Sequence, residues 1–107
     1  MGENLIEITK DNFETIRAQN AKIVIDCWAD WCGPCKMIAP IIVKLAGDHS
    51  GRVSFGKMDC DTNPDLVKRF RIMAIPTLLF FKDGEVVDQI VGVVPREEIE
   101  EMMKKHF

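Results

Sequence analysis

The stretch that most constrains this chain is "KIVIDCW", Lys22 to Trp28. A strand with one wet face alternates apolar and polar residues. Here Ile23, Val24, Ile25 and Cys27 follow one another with little alternation, which predicts a strand buried on both faces. Such a strand belongs in the middle of a sheet covered by helices on both sides. Asp26 interrupts the run, and an unpaired carboxylate is costly in such a place. Burial would raise its pKa and make it a proton carrier near the strand's C-terminal end. Pairing with Lys57 on a neighbouring strand is the other reading, and both can hold.

Immediately after this strand comes "WCGPCK", Trp31 to Lys36. Residues three apart on a helix have Cβ atoms about 5–6 Å from each other. A disulfide prefers Cα atoms about 5.5–6 Å apart, so Cys32 and Cys35 can close and open a ring with little backbone movement. Pro34 fits a first helical turn, where free N–H groups are in excess. Cys32, at the helix start, lies where those groups and the dipole stabilise a thiolate; Cys35, one turn in, is expected to be more covered. Disulfide exchange needs a thiolate, so Cys32 is expected to attack and Cys35 to resolve. Lys36 adds a positive charge nearby, and an exposed lysine is ordinarily a solvated side chain. A zinc site would need two more ligands from Cys27, Cys60, His49 and His106, none of which forms a second close-spaced pair. The strand–CxxC–helix setting favours dithiol chemistry over zinc or a static disulfide.

The remaining punctuation predicts the order β-α-β-α-β-α-β-β-α. "LIEIT" (5–9) alternates as a short strand, and "KDNFETIRAQN" (10–20) has the spacing of a short helix around Phe13 and Ile16. Residues 36–50 have helical spacing, with Met37, Ile41 and Leu45 on one face and Gly47 near the end. "RVSFGKMDC" (52–60) is the third strand. Residues 62–70 open a helix with Asn63 as cap and Pro64 at its first position. "PTLLFFKDGEVVDQIVG" (76–92) is two strands around Asp83-Gly84, a strong hairpin signal. Residues 95–107 form a last helix, acidic at its start and basic at its end, as the helix dipole favours. The first three strands should lie parallel and the hairpin should add antiparallel strands. Proline 40 removes the bond to the Lys36 carbonyl, so a bend is expected there.

Composition narrows the function classes. With 107 residues the chain is one domain's worth, so residues 1–107 are read as a single domain. A net charge of −3 offers no electrostatic footprint for nucleic acid or an anionic membrane. No apolar run approaches a membrane span. The N-terminal "MGENLIEITK" has neither the basic nor the apolar region of a secretory leader, and Ile6 stands where an acylation signal after Gly2 wants Ser or Thr. A cytoplasmic location is therefore expected. In a reducing compartment four cysteines are catalytic, metal-binding or buried more readily than structural.

At this point "VIDCWADWCGPCKMIAP" (24–40), "KMDCDTNP" (57–64), "AIPTLLFFKDG" (74–84) and Val91-Gly92 together resemble the thioredoxin family, in order and in spacing. The resemblance covers nearly the whole chain. It implies an α/β thioredoxin fold, with a central mixed five-stranded sheet in spatial order 1-3-2-4-5 flanked by four helices. It implies thiol–disulfide exchange with client proteins, Cys32 attacking and Cys35 resolving, Asp26 as the buried acid and Lys57 as its neighbour. Pro76 matches a cis-proline whose loop faces the disulfide, and Ile75 the residue that pairs with client backbone. Trp31, Gly33, Pro34, Ile75, Val91 and Gly92 match the surface that receives clients; for Ile75 and Val91 the residues alone would favour core packing. Gly33-Pro34 between the cysteines points to a reductase. The family implies recycling by a separate thioredoxin reductase, since this chain carries no dinucleotide fingerprint and no room for a flavin domain; no cofactor is expected, and a monomer is.

Departures from the family pattern are as informative. Cys27 stands where a bulky aromatic is usual and reads as a small buried hydrophobe. Cys60 stands where an aliphatic residue is common, near the rim of the client surface, and nothing nearby predicts thiolate character. Met73 and Ala74 replace a charged residue and a glycine or serine, which bears on client or reductase preference. Trp28 is expected to pack beside the site with its indole N–H hydrogen-bonded.

Overall fold

The chain folds around one five-stranded sheet whose centre is the apolar stretch Lys22–Trp28. The computed structural model describes residues 4–107; Met1 to Glu3, on which part of the leader and acylation readings rests, lie outside the described residues. The elements run β1 (Leu5–Glu7), α1 (Phe13–Gln19), β2 (Lys22–Trp28), α2 (Gly33–Asp48), β3 (Ser54–Asp59), α3 (Pro64–Arg69), β4 (Thr77–Lys82), β5 (Glu85–Val91) and α4 (Arg96–His106). The sheet order is β1-β3-β2-β4-β5. The β1–β3 and β3–β2 pairings are parallel, while β2–β4 and β4–β5 are antiparallel. The parallel and antiparallel pairings are those expected from the alternation of the first strands with helices and from the hairpin, and the sheet order is the one the family resemblance implies. None of the described helices is long and apolar enough to cross a membrane.

Because successive side chains of a strand point to opposite faces, the sheet separates two apolar layers. On one face Val24, Phe55, Leu78 and Phe80 pack against Ile38, Ile42 and Leu45 of α2 and Ile99 and Met103 of α4. On the other, Ile23, Ile25, Cys27, Met58 and Phe81 pack against Phe13 of α1 and Leu66 of α3. Phe13, Phe70 and Phe81 meet edge to face, with centroids 5.3–5.7 Å apart. The β4–β5 hairpin turns through Asp83 and Gly84, at φ 52° and 85°, the double positive φ of the tightest hairpin loops.

Two local expectations are corrected. The buried stripe of α2 is Ile38, Ile42 and Leu45, not one that begins at Met37, whose side chain is 66% exposed. The helix carries apolar residues at 37, 38, 41, 42, 43 and 45, so two stripes about 100° apart both have helical spacing. The sheet selects the second. Asn63 does precede α3, but its side chain makes no cap hydrogen bond. Its amide is instead buried, with Oδ1 accepting from Lys10 N at 3.0 Å and Nδ2 donating to Asp59 O at 2.9 Å. That amide ties the loop after β1 to the loop after β3.

Candidate active site: the Cys32–Cys35 pair

The site forms where β2 ends and α2 begins. Beyond Trp28 the chain turns through Ala29 and Asp30, held by Cys32 N donating to Ala29 O at 3.1 Å. Cys32 then takes extended backbone angles as the N-cap of α2, with Gly33 and Pro34 opening the helix. An N-cap side chain satisfies a free N–H of the first turn. Here the sulfur does so: Cys32 Sγ accepts from Cys35 N at 3.1 Å. The group that receives this N–H, at the positive end of a sixteen-residue helix, is the one whose thiolate is stabilised on reduction.

Cys32 and Cys35 are joined as a disulfide, with Cα atoms 5.3 Å apart. Both are almost wholly covered, Cys32 to 3% and Cys35 to 4% exposure. The expectation that Cys35 is the more covered of the two is corrected: the two are equally buried, in a cluster with Ala29 against which Ile75 and Trp28 pack. What separates the two cysteines is helix position, not depth.

The loop before β4 completes the sulfur's surroundings. The Ile75–Pro76 peptide bond is cis, and Ile75 O lies 3.8 Å from Cys32 Sγ. Ile75 is half-buried and Pro76 buried. Gly92, at φ 93°, donates its N–H to Pro76 O at 2.8 Å and so fixes the neighbouring turn. Around this centre Gly33, Pro34 and Val91 are exposed, and Trp31 is 70% exposed. The folded chain thus brings residues 31–35, 75–76 and 91–92 together. Sequence reasoning missed Asp61, whose Oδ2 accepts from Trp31 Nε1 at 2.9 Å and anchors an otherwise exposed ring. No local spacing connects two residues thirty apart.

Beneath the pair lies the acid. Asp26 is buried on the α2 face of β2, and its Oδ1 has no hydrogen-bond partner. Burial pushes its pKa up to about 7, with the Lys57 charge pulling weakly the other way. Asp26 and Lys57 are opposite one another in the β2–β3 register, but the ammonium lies over the Trp28 ring, 5.9 Å from its centroid. Trp28 Nε1 is also buried without a partner. The expected hydrogen bond of that indole is therefore corrected: the ring engages Lys57 through its face. A cavity of about 320 Å³ is lined by Asp26, Trp28, Ala29, Cys35 and Lys57, so it joins the carboxyl to Cys35.

The other two cysteines belong to the opposite core layer, Cys27 fully buried and Cys60 at its margin. Burial drives the Cys27 thiol well up. Burial, with Asp59, Asp61 and Asp26 adding repulsion, pushes Cys60 up to about 11. Neither environment favours a thiolate.

A redox-competent cysteine pair at the start of a helix, beside a cis-proline loop and over a buried acid, defines a thiol–disulfide oxidoreductase of the thioredoxin-fold class. Comparison with known proteins takes this further. Residues 4–105 match the family described as Thioredoxin. The chain is 46% identical to the thioredoxin of Staphylococcus saprophyticus over 103 residues, 96% of this chain and 98% of the relative. It is 47% identical to that of Staphylococcus haemolyticus and 45% to that of Staphylococcus epidermidis, with the same coverage of both chains. The chain belongs to the thioredoxin family, and is a protein-disulfide reductase with Cys32–Cys35 as its active-site pair.

Proposed function

We propose that the reduced protein delivers two electrons to disulfides of client proteins through a fixed order of attack. The observation that carries this is the hydrogen bond from Cys35 N to Cys32 Sγ at the start of α2. Cys32 thiolate attacks one sulfur of the client disulfide; the other leaves as a thiolate and takes up a proton. Cys35, losing its proton, then attacks Cys32 and releases the client's second thiol, leaving the Cys32–Cys35 disulfide. Asp26 receives the Cys35 proton across the shared cavity, directly or through water.

In this reading Trp31, Gly33, Pro34, Ile75, Val91 and Gly92 form the surface on which the client chain lies, with the Pro76 loop presenting Ile75 backbone to it. Lys57 adjusts the Asp26 environment by its charge. A separate thioredoxin reductase restores the dithiol, and the protein works as a single-domain monomer in the cytoplasm.

The test is trapping. A Cys35→Ser variant should accumulate covalent adducts with protein disulfides at Cys32, released by excess small thiol. Adducts formed equally through Cys60 would overturn the assignment. A Cys32→Ser, Cys35→Ser protein that kept full biological activity would mean that the fold acts as a binding module instead.

A further inference from the structure

Three polar groups share one face of the sheet behind the disulfide. Asp26 and Trp28 are two residues apart on β2, so both point toward α2 from Cα atoms about 7 Å apart. Lys57 stands opposite Asp26 in the β2–β3 register. The roof over them is α2, and between roof and sheet lies the cavity of about 320 Å³. Ala39, one turn beyond Cys35, lines it and fills little of the space. Ala39 and Lys36 are exposed, so the cavity opens to solvent along the helix.

The lining is polar at one end and hydrocarbon elsewhere. Asp26 is only 6% exposed, and neither its Oδ1 nor Trp28 Nε1 finds a partner in the chain. Buried polar atoms of this kind are costly to leave unmet. Away from them the walls are side chains such as Leu5, Ile42 and Val43. Such a volume holds on the order of ten waters at about 30 Å³ each, and a cavity of about 150 Å³ already takes benzene. Most of those waters would face hydrocarbon, and replacing poorly held water by an apolar group gains affinity.

We propose that this cavity is a second ligand site, which takes a small neutral molecule with a single-ring or short aliphatic body and a primary carboxamide head. The amide N–H donates to Asp26 and the amide carbonyl accepts from Trp28 Nε1–H, so one group meets both orphaned atoms. A carboxylate head would meet the Lys57 ammonium but set its charge against Asp26 and Asp30, which also line the cavity. None of Trp31, Gly33, Pro34, Ile75, Val91 and Gly92 lines it. The site is therefore separate from the proposed client surface, and ligand and client can be held together. The ligand would occupy the space that joins Cys35 to Asp26 and slow resolution while Cys32 still attacks. That consequence, unlike binding itself, rests on Asp26 as the acceptor of the Cys35 proton.

The experiment is an NMR titration of the oxidised protein with benzamide, read at the two indole N–H signals of the chain. The Trp28 signal should shift saturably, with a Kd on the order of 1 mM or tighter for a fragment of this size. The Trp31 signal, held by Asp61, should stay in place. Acetophenone keeps the ring and carbonyl but donates nothing to Asp26, and should bind at least about 5-fold more weakly. Ala39→Leu narrows the cavity at an exposed helix position suited to leucine. It should weaken benzamide at least about 10-fold and keep the basal rate of disulfide reduction. No saturable shift at Trp28, equal shifts of both indoles, acetophenone binding as tightly, or undiminished binding to Ala39→Leu overturns the proposal. Saturating benzamide should also slow release of a preformed mixed disulfide at Cys32 at least about 5-fold near pH 7. Binding at Trp28 without that slowing upholds the site and overturns instead the reading of Asp26 as proton acceptor.

Discussion

Asp26 and Lys57 face each other across the β2–β3 ladder, yet their charges are not joined: Asp26 Oδ1 has no partner and the lysine lies over Trp28. A lysine held within hydrogen-bond distance would keep the carboxylate ionised well below neutral pH. Offset onto the indole, it leaves desolvation in control, and the acid titrates near 7. The same burial that lets Asp26 titrate near neutral pH also makes it a cost to the fold.

That cost has a defined sign. Asp26 moves from an ordinary 3.8 to about 7 on folding, so between these values the folded protein binds more protons than the unfolded chain. Stability should fall as pH rises from about 4 to 7 and level off above. The full difference corresponds to about 4 kcal/mol. Asp26→Ala should therefore stabilise the protein at pH 8, less the loss of packing, and confer no gain at pH 4. Denaturant unfolding at the two pH values measures this; an equal effect at both would show that the acid is not held neutral by burial.

Replacing Asp26 should also impair the chemistry. In Asp26→Asn, release of a preformed mixed disulfide at Cys32 should slow at least about 10-fold near pH 7. The inflection close to pH 7 in the wild-type resolution rate should disappear. Rapid-mixing measurements from pH 5 to 9 check both, and superimposable profiles would exclude Asp26 as the acceptor.

Thiol selectivity is a third consequence. At pH 8 a group near 11 has a thiolate fraction about 100-fold lower than one at the ordinary 9.0. Alkylation of the reduced, folded protein should modify Cys32 first, Cys60 at least an order of magnitude more slowly, and Cys27 only on unfolding. Peptide mapping over time reads the order directly.

Asn63 should matter to stability and not to exchange. Asn63→Ala leaves Lys10 N–H and Asp59 C=O without their partners and should cost about 2–3 kcal/mol. Asn63→Asp keeps the acceptor but loses the donor, and should fall between. A lower urea midpoint with an unchanged rate of disulfide reduction in dilute buffer is the expected pattern.

Much of this architecture is legible in the sequence because its signals are local. The doubly apolar run at residues 22–28 announces a central strand, Asp83-Gly84 a tight hairpin, and three-residue spacing a closable ring. The cis bond before Pro76 comes only through family resemblance, since an X-Pro at a strand start is ordinarily trans. Asp26 was legible as an anomaly, a charge where the pattern wanted none.

What the sequence alone determined was the order of elements, the mixed sheet they make, and Cys32 as the sulfur at a helix start. Each depends on neighbours within a few residues, whose backbone angles and periodicity are intrinsic to the chain. The tertiary structure decided which stripe of α2 is buried, that Cys32 is as covered as Cys35, and that Trp31 rests on Asp61. It also decided that Lys57 lies over the Trp28 ring and makes no ion pair with Asp26. Those outcomes turn on what stands across from a side chain in space, and burial and hydrogen bonding are settled there, between residues that spacing along the chain does not connect.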